Sequence, residues 1–145
     1  MGTKSVPEIV ESAVAAFLTA QTELAGLNVY KGIANANTTL PLVVVSCGGV
    51  APAADIPGDL GNYECSVTLQ LFTSADAANA LSNHRDRSAA LQGAMQAELA
   101  ALKSTFTSQG DGTLYDAEYQ SQDSGQGDRA LETTLTYKLT MVLPA

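Results

Sequence analysis

Tyr63-Glu64-Cys65-Ser66-Val67-Thr68-Leu69-Gln70-Leu71-Phe72-Thr73 alternates with few exceptions. Tyr63, Cys65, Val67, Leu69 and Leu71 face one way, and Glu64, Ser66, Thr68 and Gln70 the other. A period of two marks a half-buried strand. Upstream, Leu40-Pro41-Leu42-Val43-Val44-Val45-Ser46-Cys47 is rich in β-branched residues and closed by Gly48-Gly49, a second strand with Pro41 at its start or on an edge. If the two pair antiparallel, the alternation puts Val43, Val45 and Cys47 on the face of Cys65, Val67 and Leu69, and the two cysteines become near neighbours. A redox pair is one reading; small buried hydrophobes is the other, favoured for an intracellular protein.

Between these strands, Val50 to Gly61 carries Pro52, Pro57, Gly58 and Gly61 with Asp55 and Asp59, plus the apolar Ile56 and Leu60. This turn-rich segment reads either as a binding loop or as a plain wide hairpin connection. Before them, Asn28 to Gly32 is a short candidate strand. The first element starts at Ser5-Val6-Pro7-Glu8, a capping box with proline in the first turn. Val6, Ile9, Val10, Ala13, Val14, Phe17 and Leu24 then form one apolar stripe, which predicts a helix over 6–24 ending before Gly26.

Downstream, Thr73, Ser74 and Asp76 supply cap and first-turn residues for a second helix predicted over 75–102, with Leu81, His84, Ser88, Leu91, Met95, Leu99 and Leu102 facing inward. Gly110-Asp111-Gly112 breaks the chain before two last strands. The first, about 113–122, places Tyr115, Ala117 and Tyr119 opposite Asp116, Glu118 and Gln120. The second, about 128–143, alternates Leu131, Leu135, Tyr137, Leu139, Met141 and Leu143 with Glu132, Thr134, Thr136, Lys138 and Thr140. Ser121 to Asp128 between them reads as a polar, Gly-rich hairpin tip. The order helix, two or three strands, helix, two strands predicts an α+β fold: an antiparallel or mixed sheet of four to five strands with two helices packed on one face.

At 145 residues the chain fits a single domain, 1–145, at about 100 to 200 residues per domain. Charged residues are only 15%, against a usual figure of about 25%, so the polar surface must come largely from Ser, Thr, Gln and Asn. Seven basic against fifteen acidic side chains give a net charge of −8, which excludes a basic groove gripping nucleic-acid phosphates. Arg85, Arg87 and Lys103 balance Asp76, Asp86 and Glu98, so residues 76–103 are neutral and the whole −8 lies elsewhere. No apolar run approaches the ~18 residues a spanning helix needs, and the N-terminus is not a signal peptide, so the reading is an intracellular, unprocessed protein without a membrane role.

Catalytic chemistry finds no foothold. The glycines at 125 and 127 lack the strand, helix and Gly-Lys-Ser/Thr of a phosphate loop, and a serine or cysteine nucleophile would have only His84 as base. His84 therefore reads as a packed or hydrogen-bonded core histidine. Asp111, Asp116, Glu118, Asp123 and Asp128 lie close in sequence, but the Asp-x-Asp-x-Asp-Gly calcium spacing is missing, and a solvated acidic surface is the favoured reading. No cofactor, metal or catalytic residue is expected. A small acidic ligand- or cation-binding module remains an alternative of a different class, and an enzyme relying on His84 a further one.

The whole arrangement resembles the tail terminator proteins of long-tailed phages, a family of minor tail proteins of similar length. The resemblance rests on the capped N-terminal helix, the Pro-led strand Leu40-Pro41-Leu42-Val43-Val44-Val45, the alternating strand ending Leu69-Gln70-Leu71-Phe72-Thr73, the helix carrying His84-Arg85-Asp86-Arg87 and Leu91, and the two closing strands. It implies a structural virion protein, assembled in the host cytoplasm, that forms a hexameric ring capping the tail tube. Its partners would be copies of itself, the tail tube protein and a neck or connector protein. Other neck and head-completion proteins share the same pattern. A ring of six would carry about −48, and DNA would pass an acidic lumen without specific binding. The candidate contact segments are 48–61, with Asp55, Ile56, Asp59 and Leu60, and 121–128, with Gln122, Asp123 and Asp128, because both are expected to project.

Overall fold

The computed structural model describes residues 6–24, 26–31, 40–52, 62–74, 79–97, 99–109, 113–126 and 130–142. Two strands predicted from alternation form the centre of a five-stranded mixed sheet. β1 (Asn28–Lys31), β2 (Leu42–Pro52), β3 (Asn62–Ser74), β4 (Thr113–Gln126) and β5 (Ala130–Val142) lie in the order β1-β2-β3-β5-β4. β1 runs parallel to β2, and every other neighbouring pair is antiparallel. The expected β2–β3 phase holds: Val43 pairs with Leu71, Val45 with Leu69 and Cys47 with Val67. The inward face of β3 continues across β5, where Val67 meets Tyr137 and Leu69 meets Leu135.

Helices cover that inward face, as an α+β reading requires. α1 (Val6–Thr19) packs on β1 and β2, α2 (Ala80–Ala97) on β3 and β5, and α3 (Leu99–Gln109) on α1 and β4. One hydrophobic cluster joins Val10, Val14 and Phe17 of α1, Leu91 and Met95 of α2, Leu102 and Phe106 of α3, and the inward residues of the strands. Burying each such side chain contributes roughly 1.5–3 kcal/mol.

Helix boundaries differ from the sequence expectation. α1 stops at Thr19, whose hydroxyl donates back to the Ala15 carbonyl at 2.8 Å, and the chain tightens into a 3₁₀ turn at Thr22–Leu24 before Gly26 adopts φ +86°. Leu24 is still buried, so the apolar stripe continues through a change of helix type. The second helical region is described as α2 and α3 and extends to Gln109, past the expected end near Leu102; residues 75–78 and 98 lie outside the described ones. His84, Ser88, Leu91, Met95 and Leu102 face inward as expected, but Leu81 is 51% exposed. It sits in the first turn of α2, at the wall of an open cleft between that helix and the sheet. The side chain of Leu99 is outside the described set.

β2 runs on to Pro52 instead of ending at Cys47, with a register shift between Gly48 and Ala51. β1 covers only Leu42 to Val45, so proline at 52 removes no ladder bond on that side. The last hairpin is also longer than predicted. Residues 121–126 belong to β4 and do not form a hairpin tip, because two bulges rephase the strand, one between Leu114 and Asp116 and one between Tyr119 and Ser121. The inner face of β4 is therefore Leu114, Ala117, Tyr119, Gln122 and Ser124, opposite Met141, Leu139, Tyr137, Leu135 and Thr133. Simple alternation of Tyr115, Ala117 and Tyr119 misses the first shift; the Tyr115 side chain is outside the described set.

Candidate functional site

The last segment of β4 forms one wall of a cleft of about 300 Å³ between the sheet and α2, lined among others by Leu81, Arg85, Gln92, Gln122, Ser124 and Leu131. His84 and Thr133 also line it, and with Ser124 and Thr73 they form a chain of hydroxyls and one imidazole. Thr73 Oγ1 lies 2.7 Å from His84 Nδ1, His84 Nε2 lies 2.7 Å from Thr133 Oγ1, and Thr133 Oγ1 lies 3.1 Å from Ser124 Oγ. Thr73, on β3, and Thr133, on β5, occupy inward positions where their neighbours are leucines, and α2 lowers His84 between them. His84 is 5% exposed, and burial pushes its pKa below the ordinary histidine value, so the ring is neutral at pH 7.

A neutral imidazole has one donor and one acceptor nitrogen, and threonine hydroxyls can complement either tautomer. Both nitrogens are thus taken by the protein itself. The arrangement pins α2 to the sheet, and each such hydrogen bond contributes about 1 kcal/mol net. The sequence signal for it was a threonine at an apolar phase on two strands, Thr73 after Leu71 and Thr133 between Leu131 and Leu135, matched by a histidine in an apolar helical stripe.

Beside the cleft, β4 is the edge of the sheet. Among the described residues it pairs only with β5, and residues 118–125 are exposed throughout. Of the residues singled out from sequence, Gln122 and Asp123 both lie here, on opposite faces: Gln122 lines the cleft, and Asp123 opposite Thr134 looks to the outer side. They stand on a strand, not on a projecting tip. Asp55, Ile56, Asp59, Leu60 and Asp128 lie outside the described residues.

The outer side of the sheet carries Ser66, Thr68 and Gln70 of β3 beside Thr134 and Thr136 of β5. Its charges centre on Lys138, which lies 3.7 Å from Glu118 and 4.0 Å from Glu64, side chains that are all partly open to water. On the inner side, Tyr119 meets Tyr137 edge to face with ring centroids 5.7 Å apart. The Tyr137 hydroxyl is buried without a hydrogen-bond partner among the described residues, and burial pushes its pKa up to about 12. At the opposite end, Glu11 of α1 accepts a hydrogen bond from the Cys47 amide at 2.9 Å, and the Cys65 thiol hydrogen-bonds to Cys47. Among the described residues, no three His, Cys, Asp or Glu side chains gather where they could hold a metal, and no helix is long and apolar enough to cross a membrane.

Comparison of the chain with protein-family models and with curated proteins finds no match.

Proposed function

We propose that this chain is a structural subunit of the tail-terminator type, a protein that joins copies of itself into a ring, caps a tail tube and offers its other side to a neck or connector protein. The observation that carries this reading is the pair of unlike open edges of the sheet. Among the described residues, β4, fourteen residues long, pairs only with β5 on one side, and on the other β1 covers just four residues of β2 and leaves its far half without a neighbour. Two different surfaces that complement each other on one subunit make a head-to-tail contact, and a head-to-tail contact closes into a ring when its rotation permits. An isologous dimer would need only one.

Charge supports the same reading. The outer sheet face is rich in hydroxyls and amides, and Lys138 between Glu64 and Glu118 offsets part of its acidic charge, which lowers the cost of placing it against another protein. The net −8 repels DNA phosphates, as suits a ring through which DNA passes unheld.

Gln120 offers a selective test. It is the bulged residue between Tyr119 and Ser121 and has no register partner on β5. Proline is tolerated at such a position but blocks strand addition from outside. Gln120→Pro should leave the circular dichroism spectrum unchanged while abolishing the oligomers that light scattering detects in the parent, and abolishing caps on purified tail tubes in negative-stain images. A parent protein that stays monomeric at high concentration and never caps tubes sinks the reading; binding to connector but not to tubes would move it to a neighbouring neck protein.

A further inference from the structure

Cys47 and Cys65 are the two cysteines of the chain, and both are free thiols. They stand on adjacent antiparallel strands and on the same face: Cys47 pairs with Val67, so Cys65 takes the next inward position along β3. The register makes them diagonal neighbours on one face of the sheet, near enough for the two thiols to interact. Access divides them. Cys65 is 1% exposed in the core, whereas Cys47 is half-buried at the margin under α1.

Electrostatics divides them in the same sense. The hydrogen bond from Cys65 holds the Cys47 thiol below the ordinary range, against burial and the Glu11 carboxylate, which push it up. The same hydrogen bond, together with burial, pushes Cys65 well above that range. One sulfur is therefore the more accessible and the more readily ionised, and the other keeps its proton close beside it. Such asymmetry separates an attacking from a resolving thiol.

We propose that Cys47 and Cys65 form a reversible dithiol–disulfide site, closed by hydroperoxides, in which Cys47 reacts first and Cys65 resolves. The Cys47 thiolate attacks one peroxide oxygen; the O–O bond breaks, a Cys47 sulfenic acid forms, and the departing hydroxide takes up a proton to leave as water. The Cys65 sulfur then gives up its proton and attacks the Cys47 sulfur. The S–O bond breaks, the S–S bond forms, and the second water leaves. Two thiols are oxidised by two electrons, and hydrogen peroxide is reduced to two waters. The product staples β2 to β3, and a small thiol reductant reverses it by exchange.

The proposal stands apart from the ring assembly, since its readout is the mass of one chain. The folded, reduced full-length protein is treated with hydrogen peroxide, quenched with iodoacetamide and weighed intact. The expected result is a loss of ~2 Da with neither cysteine alkylated, restored to two alkylated cysteines by dithiothreitol. Cys65→Ser should halt at the sulfenic acid and be captured there by dimedone on Cys47, while Cys47→Ser should react at least tenfold more slowly. Two alkylated cysteines after peroxide, a disulfide found only between chains, or Cys65 reacting in Cys47→Ser as fast as Cys47 in Cys65→Ser would each overturn it. If either serine variant fails to fold, the intact mass and peptide map of the parent decide alone.

Discussion

Acidification from about pH 7 to about pH 5.5 should destabilise the protein, and His84→Gln should remove most of that dependence. His84 is the one histidine of the chain, so it is the side chain that titrates between the carboxylates near 4 and the thiols near 8.5. Burial lowers its pKa in the folded state below the unfolded value of about 6.5. Between those two values the unfolded chain binds more protons than the folded one. The contribution is thus fully present above pH ~6.5 and is lost as pH falls toward the folded value, at up to about 1.4 kcal/mol per pH unit. Protonation need not break hydrogen bonds, because the Thr73 and Thr133 hydroxyls at 2.7 Å can both accept. The cost is the charge itself in a site 5% open to water, with Arg85 at the cleft wall opposing it and Glu132 favouring it. Glutamine cannot span both threonines, so the variant also loses about 1–3 kcal/mol at neutral pH. Urea unfolding followed by circular dichroism at a series of pH values separates the offset from the slope. Parent stability that stays flat or rises on acidification, or a variant with the parent's slope, refutes the assignment.

Gly93→Ala, at an exposed interior position of α2 with open space around it, should stabilise by about 0.5–1 kcal/mol, whereas Gly26→Ala should destabilise by about 1 kcal/mol because φ +86° strains any L side chain; thermal melts give both signs. Tyr137→Phe deletes a buried hydroxyl without a partner and should be neutral or stabilising by up to about 1 kcal/mol, and in the parent the Tyr137 phenol should ionise only near pH 12 in an ultraviolet titration. Leu69→Ala, at the centre of the sheet with no exposed surface, should cost about 2–5 kcal/mol by urea unfolding. Lys138→Met should cost less than about 1 kcal/mol, since both of its carboxylate partners are partly solvated.

Where one rule governed a segment, the sequence was legible. The period of two over Tyr63–Thr73 and over Leu131–Met141 placed the central strands and even the phase of Cys47 against Cys65, because inward residues there are apolar except for Thr73 and Thr133. The apolar stripe of α1 was equally clear. Where a local irregularity intervened, the reading slipped. Two bulges in β4 changed the alternation at Tyr115 and Gln120, so residues rich in Ser, Gln and Gly read as a loop although they complete a ladder with β5. The extension of the second helical region to Gln109 goes with Phe106 buried in the core, where α3 packs on α1 and β4, and that information is tertiary. The hydroxyl chain around His84 could have been found from the two misplaced threonines, but only once β3, β5 and α2 were known to converge.

The bulges of β4 carry one more consequence. A long edge strand of regular pitch invites stacking without end, each molecule templating the next as in a fibril. Two extra residues within fourteen bend and coil the edge, so that a flat copy cannot lie along its full length. The same irregularity that hid the strand in the sequence leaves it open to a curved neighbour and closed to an endless one.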